Sequence, residues 1–200
     1  MSKEAKTNFP VHELIAKRWS PYAFDDRPVS REDLCSLLEA ARWAASSYNE
    51  QPWSYILATK DKPDEFAKVL SCLVEGNQEW AKAAPVVMLC CTSLKFKLND
   101  KPNAAAEHDL GLAAGNLCFE ATARGLYVHQ MIGILPDRAR EVFAIPEGVE
   151  AKTGMAIGYA ANPAELPDKL KQRDTAPRER KALSEFVFAG EWGSAATLSK

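Results

Sequence analysis

Ala45-Ser46-Ser47-Tyr48-Asn49-Glu50-Gln51-Pro52-Trp53 separates two stretches of opposite periodicity. Before it, Leu34, Leu37, Leu38, Ala41 and Ala45 recur at helical spacing, which predicts an amphipathic helix over Arg31–Ala45. Ser30 is placed to cap that helix, and Glu32 and Asp33 put negative charge at its positive end. After it, Trp53–Thr59 is a strand candidate. The residues between are small and polar, with several uncharged donors and acceptors that suit a polyol chain or a heterocycle edge. A plain turn would have the same composition.

Working outward, Val11–Arg18 is expected as a short helix ending before Ser20-Pro21. Downstream come helices over Asp64–Val74 and Glu79–Ala84, then a central strand over Val86–Thr92 and a basic connection over Leu94–Lys101. Ala104–Arg124 is an alanine-rich helix with Gly125 as its cap. Its apolar residues run nearly all the way round, so it is expected to be buried on more than one side. Leu126–Met131 and Thr153–Ala160 read as strands and Pro136–Phe143 as a helix. Asn162–Arg180, rich in proline and charge, reads as an extended connector. Leu183–Trp192 is an apolar tail that should dock on something. Helices outnumber strands and no regular βαβ rhythm links them, which predicts an α+β fold in one domain over residues 1–200.

Composition removes several function classes. The 200 residues are 46% hydrophobic with a net charge of -2, too weak a field to hold a nucleic-acid backbone or an anionic membrane. Met1–Pro10 has no apolar leader core, and Val86–Cys91 and Leu110–Ala123 are too short or interrupted to span a bilayer. A cytoplasmic protein is expected, with Cys35, Cys72, Cys90, Cys91 and Cys118 as reduced thiols and the adjacent pair on opposite sides of a strand. No metal site is expected, because His12, His108 and His129 form no zinc spacing. Glu107-His108-Asp109 reads as a solvated charged turn, since adjacent helix positions diverge. Neither a dinucleotide fingerprint, nor a P-loop, nor a nucleophile elbow is present. Gly111 with Gly115, and Gly154 with Gly158, are read as marks of close packing.

Four segments carry candidate chemistry. In Lys17-Arg18-Trp19-Ser20-Pro21-Tyr22-Ala23-Phe24-Asp25, Arg18 and Ser20 suit a phosphate or polar ring edge. Ser46–Trp53 is the second. His129-Gln130-Met131-Ile132-Gly133-Ile134 runs an apolar strand into a glycine, where backbone can approach a flat ligand. In Pro177-Arg178-Glu179-Arg180-Lys181, Arg178 and Arg180 share one side of an extended segment and can converge on one anion. Each segment alone also fits a surface or core role.

Together and in this order, from about Val11 to Trp192, they resemble the FMN-dependent nitroreductase family. Arg-x-Ser-x-x-Ala-Phe-Asp from Arg18 and Ser-Ser-x-Asn-x-Gln-Pro-Trp from Ser46 are the most specific parts. Asn77 before Ala83-Ala84-Pro85, and Asp109-Leu110-Gly111 opening the long helix, also fit. The resemblance implies a sandwich with a mainly antiparallel sheet flanked by helices, and an intertwined homodimer built on the long helix. The tail, about residues 182–193, would cross over and add a strand to the other subunit. FMN would lie at the interface, with NAD(P)H as transient co-substrate and small acceptors such as nitroaromatics, quinones or activated alkenes reduced in ping-pong fashion. By likeness, Arg18, Trp19, Ser20, Asn77, Gln130, Met131, Ile132, Gly133, Arg178 and Arg180 contact FMN from one subunit, and Ser46, Ser47 and Asn49 from the other. Tyr22 and Gln51 are also implied as cofactor-binding residues. The three arginines would neutralise the phosphate, and the backbone at Ile132–Gly133 would donate to flavin N5. No side chain is expected as an obligatory catalytic acid or base.

The sequence departs from the family where many members have lysine or arginine and this chain has Tyr22, and where some have lysine and it has Trp80. Loss of those cations should make the flavin harder to reduce, and Trp80 is expected to wall the substrate pocket. Two alternatives share the same residues: a non-catalytic FMN sensor or reservoir with Trp80 closing the nicotinamide site, and a relative that modifies flavin itself.

Overall fold

A computed structural model describes residues 3–198. Its helices are α1 Glu13–Lys17, α2 Arg31–Arg42, α3 Pro63–Leu70, α4 Glu75–Ala81, α5 Ala106–Ala123, α6 Pro136–Phe143 and α7 Asp168–Thr175. The strands are β1 Trp53–Thr59, β2 Val86–Ser93, β3 Tyr127–Met131 and β4 Val149–Gly158. They form an antiparallel sheet in the order β1-β2-β4-β3. The fold is α+β, as expected.

β2 organises the core. A strand covered on both faces reads as a continuous apolar run, without alternation. Val86, Met88 and Cys90 pack with Leu37 and Ala41 of α2 and with Leu110, Ala113 and Leu117 of α5. Val87, Leu89 and Cys91 point the other way, toward Phe66 and Val69 of α3 and Trp80 of α4. The sheet is thus the middle of three layers, and the adjacent cysteines lie on opposite faces. Between Cys90 and Cys91 the pairing jumps from Thr153 to Ala151, leaving Lys152 unpaired in a bulge. Its ammonium reaches Glu107 at 2.8 Å and Glu150 at 2.5 Å.

The Ser30 hydroxyl caps α2 by accepting the Asp33 N–H at 3.0 Å. At the end of α5, Gly125 takes φ +71°, and Leu126 N–H reaches back to the Ala121 carbonyl at 2.8 Å. Gly125 N–H bonds the Thr122 carbonyl at 3.1 Å, completing a Schellman motif that turns the chain directly into β3. Leu117, fully buried on α5, is a site where truncation to alanine would cost about 2–5 kcal/mol.

Several expectations need correction. Within the single chain α5 is buried on one side: Leu112 and Phe119 are 40% and 37% exposed, and Gly111 and Gly115 lie on the same open stripe. A Cβ on either glycine would touch nothing within 4 Å, so this pair does not mark packing inside the chain. At Gly154 a Cβ would meet Leu73 Cδ2 at 2.9 Å, and at Gly158 Pro85 Cδ at 2.5 Å, so there the close-packing reading holds. The helix expected over Asp64–Val74 ends at Leu70, and α4 starts at Glu75. β4 begins at Val149, ahead of the expected Thr153. The supposed connector 162–180 contains α7, which buries only Leu170 and Asp174. Apart from these corrections, the tail of the single chain turns back on itself, with Ala189 N–H on the Ser194 carbonyl at 3.0 Å, and its Leu183, Phe186 and Trp192 are exposed. No described helix is long and apolar enough to cross a membrane.

Candidate active site

Arg18 caps the C-terminus of α1, its N–H on the Leu14 carbonyl at 3.0 Å, and its guanidinium donates to Ser20 Oγ at 3.3 Å. From the far end of the chain, Arg178 Nη1 donates to the Ala16 carbonyl at 2.6 Å and the Lys3 carbonyl at 2.9 Å. Burial, and then the nearby charges of Arg18 and Arg180, hold the Arg178 guanidinium below its ordinary pKa. Arg178 is therefore within repelling range of both Arg18 and Arg180. Among the described residues none of them pairs with a carboxylate. Like charges gathered without counterions are costly, and an anion with several acceptor oxygens relieves the cost.

Gln130 on β3 borders this cluster. Its amide donates to Cys118 Sγ on α5 at 3.3 Å. Burial raises the Cys118 thiol pKa, while Gln130 and the Arg18 charge oppose that rise, so Arg18, Gln130 and Cys118 share one neighbourhood. Beyond β3, Ile132 is exposed and Gly133 lies against α4. The Gly133 carbonyl accepts from Asn77 Nδ2 at 2.9 Å and from the Val74 N–H at 3.1 Å. A Cβ on Gly133 would fall 2.5 Å from Asn77 Nδ2, so this close approach needs glycine. The Gly133 N–H has no acceptor among the described residues. Met131, 6% exposed, is part of the core beneath.

Trp19 and Tyr22 lie on the other face of β3. The Trp19 ring meets Tyr127 edge-on at 5.7 Å and carries the Lys3 ammonium 4.8 Å above it, at the rim of a cavity of about 630 Å³. Tyr22 packs edge-on against Trp80 at 5.1 Å and His129 at 4.6 Å, and its N–H bonds Asp174 at 2.5 Å. Trp80 is only 3% exposed and stacks on Phe24, so it walls no open pocket and the expectation of an aromatic substrate wall fails. His129 Nδ1 lies 2.8 Å from the Pro21 carbonyl. Because a carbonyl only accepts, Nδ1 is the protonated nitrogen, and burial lowers the imidazole pKa.

The Ser46–Gln51 segment is a strained loop. Tyr48, Asn49 and Gln51 adopt φ of +53°, +56° and +51°, sparsely populated for residues with a side chain. Ser46 Oγ accepts the Gln51 N–H at 3.0 Å, and Glu50 Oε1 accepts the Lys97 N–H at 2.8 Å. The main anchor was missed in the sequence. Asp109, expected in a solvated turn, is 1% exposed and accepts the Ser47 N–H at 2.9 Å. The signal was its spacing: Ala106, Asp109 and Ala113 fall on one face of α5.

This anchor places the loop beside the first turn of α5. Arg18 and Gln130 gather around Cys118, about 13 Å further along the helix at roughly 1.5 Å per residue. The chain thus groups Arg18 and Gln130 around Cys118, sets Arg178 within reach of the Arg18 and Arg180 charges, and joins Asn77 to Gly133 beyond the end of β3. Ser46, Ser47, Asn49 and Gln51 lie apart from these, in the loop that Asp109 anchors at the first turn of α5.

The pattern that defines the Nitroreductase family matches residues 15–159. The chain belongs to that family. As a nitroreductase-family protein it is 27% identical to the major NAD(P)H-flavin oxidoreductase of Aliivibrio fischeri, covering 89% of this chain and 97% of the relative. It is 28% identical to the FMN reductase [NAD(P)H] of Bacillus subtilis (strain 168), over 75% of this chain and 66% of that one. Among solved structures, an oxidoreductase containing FMN superposes with a TM-score of 0.90 at 36% identity, covering 97% of this chain and 98% of that one. The sandwich expected from the sequence is thus the family's fold.

Proposed function

We propose that this chain is an NAD(P)H-dependent oxidoreductase that binds FMN and works in the cytoplasm as a homodimer of single-domain subunits. The observation that carries the reading is that Arg178 lies within reach of the Arg18 and Arg180 charges while none of the three has a carboxylate partner among the described residues; the Gly133 N–H beyond the end of β3, without an acceptor among those residues, adds to it. A doubly charged phosphate fits the first feature, and the acceptor edge of a flat heterocycle fits the second. The FMN content of the solved relative and the names of the curated relatives support the same cofactor.

Within this reading Arg18, Arg178 and Arg180 neutralise the phosphate, Ser20 and Gln130 offer polar contacts, and Gly133 N–H donates to the ring. Asn77 holds the Gly133 carbonyl and so fixes the direction of that N–H. The loop with Ser46, Ser47, Asn49 and Gln51 lies at the other end of α5 from Cys118, and in this reading a second copy supplies it. The open stripe Gly111, Leu112, Gly115 and Phe119 gives the two copies a face on which to pair, and the tail from Leu183 to Trp192 covers the other subunit. The chemistry supplied by bound FMN is two-electron transfer between NAD(P)H and a small acceptor, here a nitroaromatic, quinone or activated alkene. Donor and acceptor use one place in turn, giving ping-pong kinetics. The sensor or reservoir alternative relied on Trp80 closing that place, and its burial removes the support.

The test is the absorption spectrum of the purified protein before and after anaerobic NADH or NADPH, followed by turnover with a quinone. A yellow protein that bleaches and turns over is expected. A colourless protein that takes up no added FMN, or a yellow one that never bleaches, would overturn the reading.

A further inference from the structure

Arg178 sits on the irregular segment after α7, where a long side chain is poorly fixed by its own backbone. Its Nη1 is nevertheless saturated by two carbonyls, that of Ala16 in the last turn of α1 and that of Lys3 in the N-terminal arm. The arm is itself fastened at two further points. Ala5 N–H shares the Ala16 carbonyl at 2.9 Å. The Lys3 ammonium bonds the Asp174 carbonyl of α7 and stands 4.8 Å over the Trp19 ring. Asp174 in turn holds the Tyr22 N–H, so α1, the arm, α7 and the strip after Arg18 form one connected bracket around the guanidinium.

We propose that the N-terminal arm, Lys3 to Ala5, is a strap that positions Arg178 for the phosphate of FMN. The inference rests on the FMN reading above. A guanidinium is a planar fork, so tying one nitrogen to two fixed carbonyls sets the plane and leaves the remaining N–H groups directed elsewhere. The tie also offsets the repulsion from Arg18 and Arg180, which would otherwise drive the free side chain away from the cluster before an anion arrives. Ordering the side chain in advance removes that cost from the binding step. Lys3 and Ala5 touch no phosphate in this scheme. They are positioning residues that act through Arg178.

Full-length apoprotein is titrated with FMN and with riboflavin, which lacks the phosphate, by quenching of flavin fluorescence. Lys3→Ala, and separately Ala5→Pro, which removes the Ala5 N–H, should weaken FMN several-fold to on the order of tenfold, about 1.4 kcal/mol at tenfold. Riboflavin binding should stay within about twofold. In an Arg178→Gln background, Lys3→Ala should have no further effect on FMN, because the residue it positions is gone. Equal weakening of FMN and riboflavin would show that the arm merely supports the fold. No weakening of FMN, or full additivity with Arg178→Gln, would also overturn the strap. If the unsubstituted protein binds FMN no more tightly than riboflavin, the phosphate reading fails, and the strap with it.

Discussion

The Asp109 carboxylate holds Ser47 by its N–H at 2.9 Å, joining a fully buried acid on α5 to a loop in which three residues with side chains have positive φ. The bond compensates a conformation the loop would otherwise leave. Asp109→Ala should cost about 1–3 kcal/mol, as expected when a charge-assisted anchor is lost and a donor left unpaired. Asp109→Asn keeps an acceptor oxygen and should recover most of this. Urea denaturation midpoints decide the matter, and equal midpoints for Asp109→Ala and the unsubstituted protein would refute it.

At Gly133 the side-chain space is already taken. Gly133→Ala would bring Cβ to 2.5 Å from Asn77 Nδ2 and 2.8 Å from Val74 Cγ2. Relief requires Asn77 to leave the Gly133 carbonyl or the strand end to move outward. The cost should be about 1–3 kcal/mol, accompanied by faster release of FMN from the purified protein. Thermal melting and dialysis against flavin-free buffer measure the two effects. A variant that keeps both its melting temperature and its flavin would contradict the close approach described.

His129 gives stability a pH dependence of definite sign. Burial sets its folded pKa below the ordinary value of 6.5, so the unfolded chain binds the proton more readily. Its contribution is complete above about pH 6.5 and is lost as pH falls below that value toward the folded pKa. Unfolding free energies at pH 7.5 and 5.5 should drop more for the unsubstituted protein than for His129→Gln. Equal drops would mean that His129 does not carry the effect.

Leu112 lies outside both core clusters, so a charge there should spare the subunit's own fold. Leu112→Asp should turn a dimer into a folded monomer, seen by light scattering at micromolar concentration beside an unchanged far-ultraviolet spectrum. FMN should be released at the same time, because the Ser46–Gln51 loop of a second copy is lost with the interface. A variant that stays dimeric would move the proposed interface away from α5.

What could be read in the sequence follows from where the deciding forces act. β1 and α6 have their expected bounds because local alternation and a first-turn proline specify them. α7 was hidden because its stability comes from contacts made by only Leu170 and Asp174, inside a segment otherwise charged. The break between α3 and α4 was expected after Val74 but falls at residues 71–74, since the Val74 N–H is held by Gly133, far away in the chain. In the site, arginines and glycines advertised themselves by type. Asp109 did not, because a buried acid that holds a backbone N–H looks in sequence like any solvated one. Trp80 failed the opposite way: an aromatic side chain suits a pocket wall and a core equally, and only the stacking on Phe24 decides.

Cys90 and Cys91 are neighbours in the chain, yet each is enclosed by a different layer, and burial pushes their thiols up to about 12 and about 11. An alkylating reagent can reach either one only after its own side of the sheet has opened. The pair therefore acts as two clocks on one strand, one timing the detachment of α2 and α5, the other that of α3 and α4. Labelling followed by mass spectrometry, with Cys90→Ser and Cys91→Ser to separate the signals, would show whether the sandwich comes apart in one event or peels one leaf first.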